Sequence, residues 1–318
     1  MRTLTDLFSA EIPLIDAAIA QELNRLPPSL QPVAAHIAVL PGKRIRPLIC
    51  VALARCLGEN SPSVYPLAAA LEILHCATLL HDDILDEAHT RRGAPAAHLQ
   101  FTAKLALLAG DAMFALAGGI VARYERPALM NIFSTAIQRT AEGQALELSN
   151  LFNPQLDWEL YIQTAGGKTA SLFEAAATCG AEFAGATAPE HDAAANFGFN
   201  LGLAFQIMDD LLDFLPTPDT GKPQGGDVRE GKLTSPLLCW LDQCAPEERQ
   251  GFLAKFSKEA LPRTDLTALC RLMQSADITN KTKLRAETYT RQASNCLKAL
   301  PFNQFRCSLS TFTRVLTK

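Results

Sequence analysis

A five-residue acidic pattern that occurs twice, each time inside an apolar helical stretch, constrains this chain more than any other feature. The first copy is Asp82-Asp83-Ile84-Leu85-Asp86 and the second is Asp209-Asp210-Leu211-Leu212-Asp213. Helix positions i and i+4 share a face, so Asp82 with Asp86, and Asp209 with Asp213, each present two carboxylates side by side. The fold must therefore give two pairs of like charges a stabilising partner.

That partner is predicted to be a divalent cation. Burying an unpaired carboxylate costs several kcal/mol, and two carboxylates at i,i+4 also repel each other. Clusters made of carboxylate oxygens, without cysteine, suit a hard ion such as Mg²⁺, whose remaining ligands are water and substrate phosphate. A single copy of the pattern is common on a solvated helix face, whereas two copies in apolar surroundings indicate a metal site.

Helical periodicity runs almost from end to end and predicts an all-α fold, a single-domain helical bundle around a deep central cavity. The segments with the clearest pattern are Ser63 to Asp86, Ala103 to Tyr124, Pro127 to Phe152, Asp157 to Ala184, His191 to Phe214 and Ser235 to Phe256. The stretch Pro216 to Gly231 is predicted to be a long functional loop. We expect one domain over residues 1–318, with shorter peripheral helices after about residue 245.

Composition excludes several classes of protein. The 318 residues carry a net charge of −4 and are 48% hydrophobic, so no global charge attracts nucleic acid or an anionic membrane. The apolar stretches are interrupted by Glu72, His75 and His81, so we expect no membrane span. The nine cysteines never occur as C-x-x-C and are predicted to be reduced thiols. Without a recognisable signal peptide, the expected location is cytoplasmic.

Basic residues gather in short sets near turns, at Lys43 to Arg46, Arg91-Arg92, Lys168, Lys222, and Arg229 with Lys232. Arginine offers a planar fork of donors and lysine a mobile point charge, and together they suit a ligand with more than one phosphate. Each set alone is typical of a solvated surface. Their closeness in sequence to the acidic clusters favours a site for a diphosphate.

These residues resemble the trans-isoprenyl diphosphate synthases, and more narrowly the polyprenyl, octaprenyl-like, members. The resemblance extends from about Gly42 to the last helix. The matching motifs are Gly-Lys-Arg-Ile-Arg-Pro (42–47), His-Asp-Asp-Ile-Leu-Asp-Glu with Arg-Arg-Gly (81–93), Gly-Asp (110–111), Gly-Lys-Thr (167–169), Phe-Gln-Ile-Met-Asp-Asp-Leu-Leu-Asp (205–213), and Gly-Lys-Pro with Asp-Val-Arg-Glu-Gly-Lys (221–232).

The resemblance implies an Mg²⁺-dependent transferase that joins isopentenyl diphosphate head to tail to an allylic diphosphate, geranyl or farnesyl. It implies three Mg²⁺ ions with substrate bound, held by Asp82, Asp83, Asp86, Asp209, Asp210 and Asp213. The residues implied to grip the allylic diphosphate are Arg91, Lys168, Thr169, Gln206, Lys222 and Lys232. Those implied to hold isopentenyl diphosphate are Lys43, Arg46, His75 and Arg92. A homodimer is implied as well.

Product length in such enzymes is set just upstream of the first acidic motif. Ala77 and Thr78 stand there, where farnesyl diphosphate synthases often carry aromatic residues. Small side chains predict an open cavity and a medium- or long-chain polyprenyl diphosphate, a quinone side-chain precursor. Tyr or Phe at position 77 is expected to shorten the product.

Other functions remain open at this point. A short-chain farnesyl or geranylgeranyl diphosphate synthase would share every motif. A class I terpene cyclase normally lacks the second plain D-D-x-x-D and the isopentenyl diphosphate set. A metal phosphohydrolase built on His81 and Asp82 would leave the second acidic cluster unexplained. A non-catalytic subunit of a heteromeric synthase would be expected to have lost both clusters.

Overall fold

The computed structural model describes residues 8–40, 42–215, 224–256 and 263–317, and these fold almost entirely into helices. The helices before the second acidic motif are α1 (Ile12–Leu23), α2 (Gln31–Val39), α3 (Ile45–Cys56), α4 (Val64–Leu85), α5 (Ala97–Gln100), α6 (Ala103–Ala122), α7 (Pro127–Ser149), α8 (Trp158–Ala165) and α9 (Ser171–Phe183). They are followed by α10 (Ala188–Phe214), α11 (Gly226–Arg229), α12 (Ser235–Leu241), α13 (Pro246–Phe256), α14 (Arg263–Met273), α15 (Ala276–Cys296) and α16 (Gln304–Val315). The all-α prediction is confirmed.

The two acidic motifs lie at the C-terminal ends of the two central helices, α4 and α10. Most of α4 is buried, including the run Leu67 to Leu74, and α10 buries Phe197, Leu201 and Phe214. Each fully buried Leu or Phe contributes about 1.5–3 kcal/mol of transfer free energy. The packing of these helices therefore fixes where the carboxylates stand.

Helix α10 begins with a capping box. The backbone N–H of Thr187 donates to Glu190 Oε2 at 2.9 Å, and Pro189 occupies the first turn, where its missing N–H costs nothing. The helix then continues without interruption to Phe214. A single rigid element thus joins the core to the second acidic motif.

A short hairpin follows the first acidic motif, with strand β1 (Thr90–Arg91) antiparallel to β2 (Ala94–Pro95). Its turn residues Arg92 and Gly93 both have positive φ, 51° and 82°, as a two-residue hairpin turn of the primed type requires. The hairpin positions Arg91 and Arg92 beside the end of α4.

Three sequence expectations are wrong in detail. The segment Ser235 to Phe256 forms two helices, because the chain turns at residues 242–245 and Pro246 starts a new helix. The predicted loop contains the short helix α11, while its residues 216–223 lie outside the described part of the chain. After residue 245 the helices are not all short. Helix α15 has 21 residues, and it packs along α10, burying Ile278, Ala286 and Ala293.

The expectation about membrane spans also needs correction. Among the described residues, α4 and α6 are long and apolar enough to cross a membrane by length and composition alone. In the most apolar 18-residue stretch of each helix, 72% of α4 and 39% of α6 is buried. Helix α4 is thus a core helix, whereas α6 leaves Leu105, Leu107 and Leu108 exposed.

All nine cysteines are free thiols, as expected, and six of them are buried.

Candidate active site

A cavity of about 860 Å³ opens between the C-terminal ends of α4 and α10. Its lining brings together most of the residues singled out in the sequence. They are Lys43, Arg46, His75, Thr78, Asp82, Asp86, Arg91, Arg92, Lys168, Thr169, Gln206, Asp209, Asp210 and Lys232. Asp83, Asp213 and Ala77 do not line it, and Lys222 lies outside the described residues.

The first acidic motif divides into two kinds of carboxylate. Asp82 and Asp86 face the cavity, as their i,i+4 spacing predicts. Asp83 is completely buried, and its Oδ1 accepts a hydrogen bond from Arg91 Nε at 2.8 Å. Asp83 therefore orients Arg91, and its geometry does not support the predicted direct role in metal binding.

The second motif divides in a similar way. Asp209 and Asp210 line the cavity, but Asp210 is buried and hydrogen bonded at both oxygens. Its Oδ2 accepts from the Tyr161 hydroxyl at 2.6 Å and from the Ser235 backbone N–H at 3.1 Å, and its Oδ1 accepts from Gln206 Nε2 at 2.7 Å. These three donors fix the orientation of the Asp210 carboxylate, so Asp210 connects Tyr161, Ser235 and Gln206 at the cavity wall, and the predicted metal role of Asp210 stays a prediction.

Asp213 accepts hydrogen bonds from the backbone at the start of helix α11. Its carboxylate accepts from the backbone N–H groups of Gly226 at 3.2 Å and Asp227 at 3.3 Å, at the start of α11. The third carboxylate of the second motif thus holds the segment that leads to Lys232. A direct role in metal binding is again not supported by its position.

A hydrogen-bonded chain connects the Gly-Lys-Thr motif to the second acidic motif. Thr169 Oγ1 donates to Gln206 Oε1 at 2.6 Å, and Gln206 donates in turn to Asp210. Thr169 and Lys168 belong to a single π-helical turn, Gly166–Ala170, between α8 and α9. Such turns inside helices frequently mark functional sites.

A second group of basic residues, Lys43, Arg46, His75 and Arg92, also lines the cavity. Arg46 lies over the Phe173 ring, 4.7 Å from its centroid, and burial lowers the pKa of its guanidinium to about 10. Burial and then Arg46 and Arg92 hold the pKa of His75 well below its usual range. His75 is therefore a neutral donor and acceptor beside permanently charged groups.

The loop that carries Lys43 is anchored by the next residue. Arg44 has a positive φ of 48°, and its guanidinium donates to Glu72 Oε1 at 2.9 Å, Asp16 Oδ1 at 2.9 Å and the Ala38 carbonyl at 2.7 Å. Glu72 is only 3% exposed and lies on α4, one turn before His75. This ion pair joins the Lys43 loop to the helix that carries His75.

The carboxylates that face the cavity fit a divalent cation. Burial, with smaller contributions from Asp86 and Glu147, raises the pKa of Asp82 to about 6 against the opposing effect of Lys168. In the part of the chain that the structure describes, no three metal-binding side chains converge closely enough to hold an ion alone. The paired cavity carboxylates therefore fit a divalent cation whose remaining ligands are water and substrate phosphates.

The two residues predicted to set product length occupy different environments. Thr78 lines the cavity together with Leu79, Leu172 and Phe205. Ala77 is fully buried in the main hydrophobic core. Ala77 therefore lies in the packing behind the cavity wall, and its effect on product length stays a prediction.

Several cavity residues are not among the predicted site residues. Glu72, Glu147, Tyr161 and Asp227 all line the cavity, and each lies outside the D-D-x-x-D patterns. Burial, followed by Asp213 and Asp210, raises the pKa of Asp227 well above its usual range. Glu72 had a sequence signal, since an acidic residue within an apolar helical run needs a partner. Glu147 lies on a helix with many polar residues, so no signal in the sequence marked it as a site residue.

Comparison with known proteins places this site among prenyl-transferring enzymes. The polyprenyl synthetase family profile matches residues 27–273. The chain is 33% identical over 310 residues to the octaprenyl diphosphate synthase of Escherichia coli, covering 97% of this chain and 96% of that protein. It is also 34% identical over 283 residues to the geranylgeranyl diphosphate synthase of Sulfolobus acidocaldarius, covering 85% and 84% of the two chains.

A solved structure agrees over nearly the whole chain. It is a polyprenyl synthase from Caulobacter crescentus complexed with calcium and isoprenyl diphosphate. The TM-score is 0.92 at 33% identity, with 99% of this chain and 96% of that chain covered. That protein binds a divalent cation together with a prenyl diphosphate.

Proposed function

The chain belongs to the polyprenyl synthetase family. From that premise we propose that it condenses isopentenyl diphosphate head to tail with an allylic diphosphate and forms double bonds of trans configuration. The proposed product is a medium- or long-chain polyprenyl diphosphate, a quinone side-chain precursor. One observation carries the proposal: a single cavity is lined by carboxylates of both acidic motifs and by lysines and arginines from four segments of the chain. Two bound diphosphates need this many cations, and neither a phosphohydrolase nor a cyclase does.

The allylic diphosphate is assigned to the side of Arg91, Lys168 and Lys232. Magnesium held by Asp82, Asp86 and Asp209 would supply positive charge to the departing diphosphate. Arg91 is oriented by Asp83, so its remaining N–H groups are available for phosphate oxygens. These fixed cations stabilise the negative charge that develops as the allylic C–O bond breaks.

Isopentenyl diphosphate is assigned to Lys43, Arg46, His75 and Arg92. Its double bond attacks the allylic carbon, a new C–C bond forms, and a proton leaves the adjacent carbon. Leu79, Leu172 and Phe205 form an apolar part of the wall. This wall excludes water, which would otherwise capture the allylic cation.

A medium or long product is supported by the octaprenyl relative and by the small side chains of Ala77 and Thr78. The geranylgeranyl relative supports the alternative, a short-chain synthase with the same chemistry. The two differ only in how far the growing chain extends before release. Product sizing after incubation with farnesyl and isopentenyl diphosphates distinguishes them.

We also propose a homodimer in the cytoplasm. Helix α6 exposes Leu105, Leu107 and Leu108, and an apolar helix face of this kind is typical of a protein interface. A second copy of the chain would cover it with the same face across a two-fold axis. Light scattering should give twice the mass of 34.4 kDa. A monomer would contradict this assignment.

The deciding experiment measures elongation of farnesyl diphosphate with Mg²⁺ and sizes the products. We expect activity that is lost with EDTA and in Asp82→Ala and Asp209→Ala. Full turnover in either variant would contradict the metal assignment. Phosphate release from nucleotides without isopentenyl diphosphate would instead favour a phosphohydrolase, and cyclic hydrocarbons would favour a cyclase.

A further inference from the structure

Glu147 is a cavity carboxylate outside both acidic motifs. It lies near the C-terminal end of α7, with its side chain 18% exposed, and it contacts basic residues from two other parts of the chain. Lys168 comes from the π-helical turn between α8 and α9, and Lys232 follows α11. No other helix brings a carboxylate to both of these lysines among the described residues.

A single oxygen of Glu147 receives both lysines. Lys168 Nζ donates to Glu147 Oε1 at 2.5 Å, and Lys232 Nζ lies 3.5 Å from the same oxygen. Lys232 also lies 3.5 Å from Asp86 Oδ1 and donates to Glu230 Oε2 at 2.7 Å. The two ammonium groups are therefore held together at the edge of the acidic motif.

This arrangement leaves the lysines able to bind a second anion. Each ammonium group has three N–H donors, so one can remain on Glu147 while others point to phosphate. A lysine side chain loses about 2 kcal/mol of conformational freedom when it is ordered. If Glu147 orders both lysines before substrate arrives, that entropic cost does not weaken diphosphate binding.

We propose that Glu147 is a positioning residue that holds Lys168 and Lys232 in place for the allylic diphosphate. This inference rests on the proposed function of the same site and adds a specific residue to it. Glu147 acts through the lysines and not on the reacting atoms. Its loss should therefore affect binding of the allylic substrate and not of isopentenyl diphosphate, because its ion pairs are with Lys168 and Lys232, which are assigned to the allylic diphosphate.

The test is Glu147→Gln, which keeps the size of the side chain and removes its charge. We expect the KM for farnesyl diphosphate to rise about tenfold, or about 1.4 kcal/mol, while the KM for isopentenyl diphosphate changes less than about twofold. The dissociation constant of inorganic pyrophosphate with Mg²⁺, measured by calorimetry, should rise in parallel. Glu142→Gln is the matched control, because Glu142 is exposed on the same helix and bonds only Gln138 at 2.8 Å among the contacts described.

A coupled variant tests whether the effect passes through a lysine. In a Lys168→Met background, Glu147→Gln should weaken pyrophosphate binding by about threefold or less, since only the longer contact to Lys232 remains. A full tenfold further loss would overturn the proposal. So would an unchanged or lower KM for farnesyl diphosphate in Glu147→Gln, because Glu147 would then be neutral or would compete with the diphosphate.

Two further outcomes are separated by design. If Glu147→Gln does not fold, Glu147→Asp is measured instead. In either variant, an equal rise in the KM for farnesyl diphosphate and for isopentenyl diphosphate would contradict the proposal. An inactive native enzyme would refute the proposed function itself. An active native enzyme whose Glu147 variants behave normally would refute only the role of Glu147.

Discussion

Replacing Gly143 by alanine tests the close helix contact that sets the position of Lys168. A Cβ at Gly143 would stand 2.1 Å from the backbone N of Lys168 and 2.6 Å from the carbonyl carbon of Gly167. Neither is the far end of a flexible side chain, so the backbone itself must move. Restoring ordinary van der Waals contact requires a displacement of about 1 Å between α7 and the π-helical turn.

Two effects of Gly143→Ala can be given magnitudes. Overpacking of this kind costs about 1–3 kcal/mol of unfolding free energy. A displacement of about 1 Å at a substrate-positioning group can reduce the rate about 100-fold. We therefore expect a large loss of kcat/KM for farnesyl diphosphate with a moderate loss of stability, measured by steady-state kinetics and urea unfolding.

Gly251→Ala is the matched control for this prediction. Gly251 lies in α13 with nothing within 4 Å of an added Cβ. Alanine at an open helical position should stabilise the protein by about 0.5–1 kcal/mol and leave activity unchanged. If Gly143→Ala retained native activity and stability, the contact between α7 and the Lys168 turn would not set the site as argued.

Three other changes have defined outcomes. Glu72→Ala should destabilise the protein by about 1–3 kcal/mol in urea unfolding, because it removes one charged partner of the largely buried Arg44 guanidinium, which keeps Asp16 and the Ala38 carbonyl. The KM for isopentenyl diphosphate should also rise, and an unchanged midpoint would contradict the stabilising role of this ion pair. The pKa of about 6 for Asp82 lies above its unfolded value, so folding favours the protonated form and, without metal, stability from this group falls as the pH rises from about 4 to 6. Mg²⁺ with pyrophosphate should therefore raise the melting temperature more at pH 7.5 than at pH 5, and equal shifts would refute this linkage. Thr78→Tyr should shorten the product on reversed-phase chromatography because Thr78 lines the cavity, whereas an unchanged chain length would place the growing chain elsewhere.

Much of the helical architecture was accessible from local sequence. Helices α4, α6, α7 and α10 begin and end within a few residues of the predicted segments, because apolar spacing, Pro127 and Thr187 all act locally. The break before Pro246 was missed, since the apolar pattern continues on both sides of it. The length of α15 was missed because it is mostly polar and is buried along one narrow stripe only, on α10.

The site was accessible from sequence to a similar degree. The motifs named most of the residues that line the cavity, including Asp82, Asp86 and Asp209. They did not distinguish these from Asp83, which bonds Arg91, or from Asp210, which bonds Tyr161 and Ser235. Those partners are 8, 49 and 25 residues away along the chain.

The helical fold and the two paired-carboxylate motifs with basic residues nearby can be read from the chain alone, because helix periodicity and i,i+4 spacing are local properties. Which carboxylates face the cavity, and which hold other residues in place, depends on how the helices pack. That packing alone brings Glu147 to Lys168 and Lys232, and Glu72 to Arg44. The physical reason is that the rotation and approach of each helix are set by packing against distant helices, and no spacing within one helix encodes them.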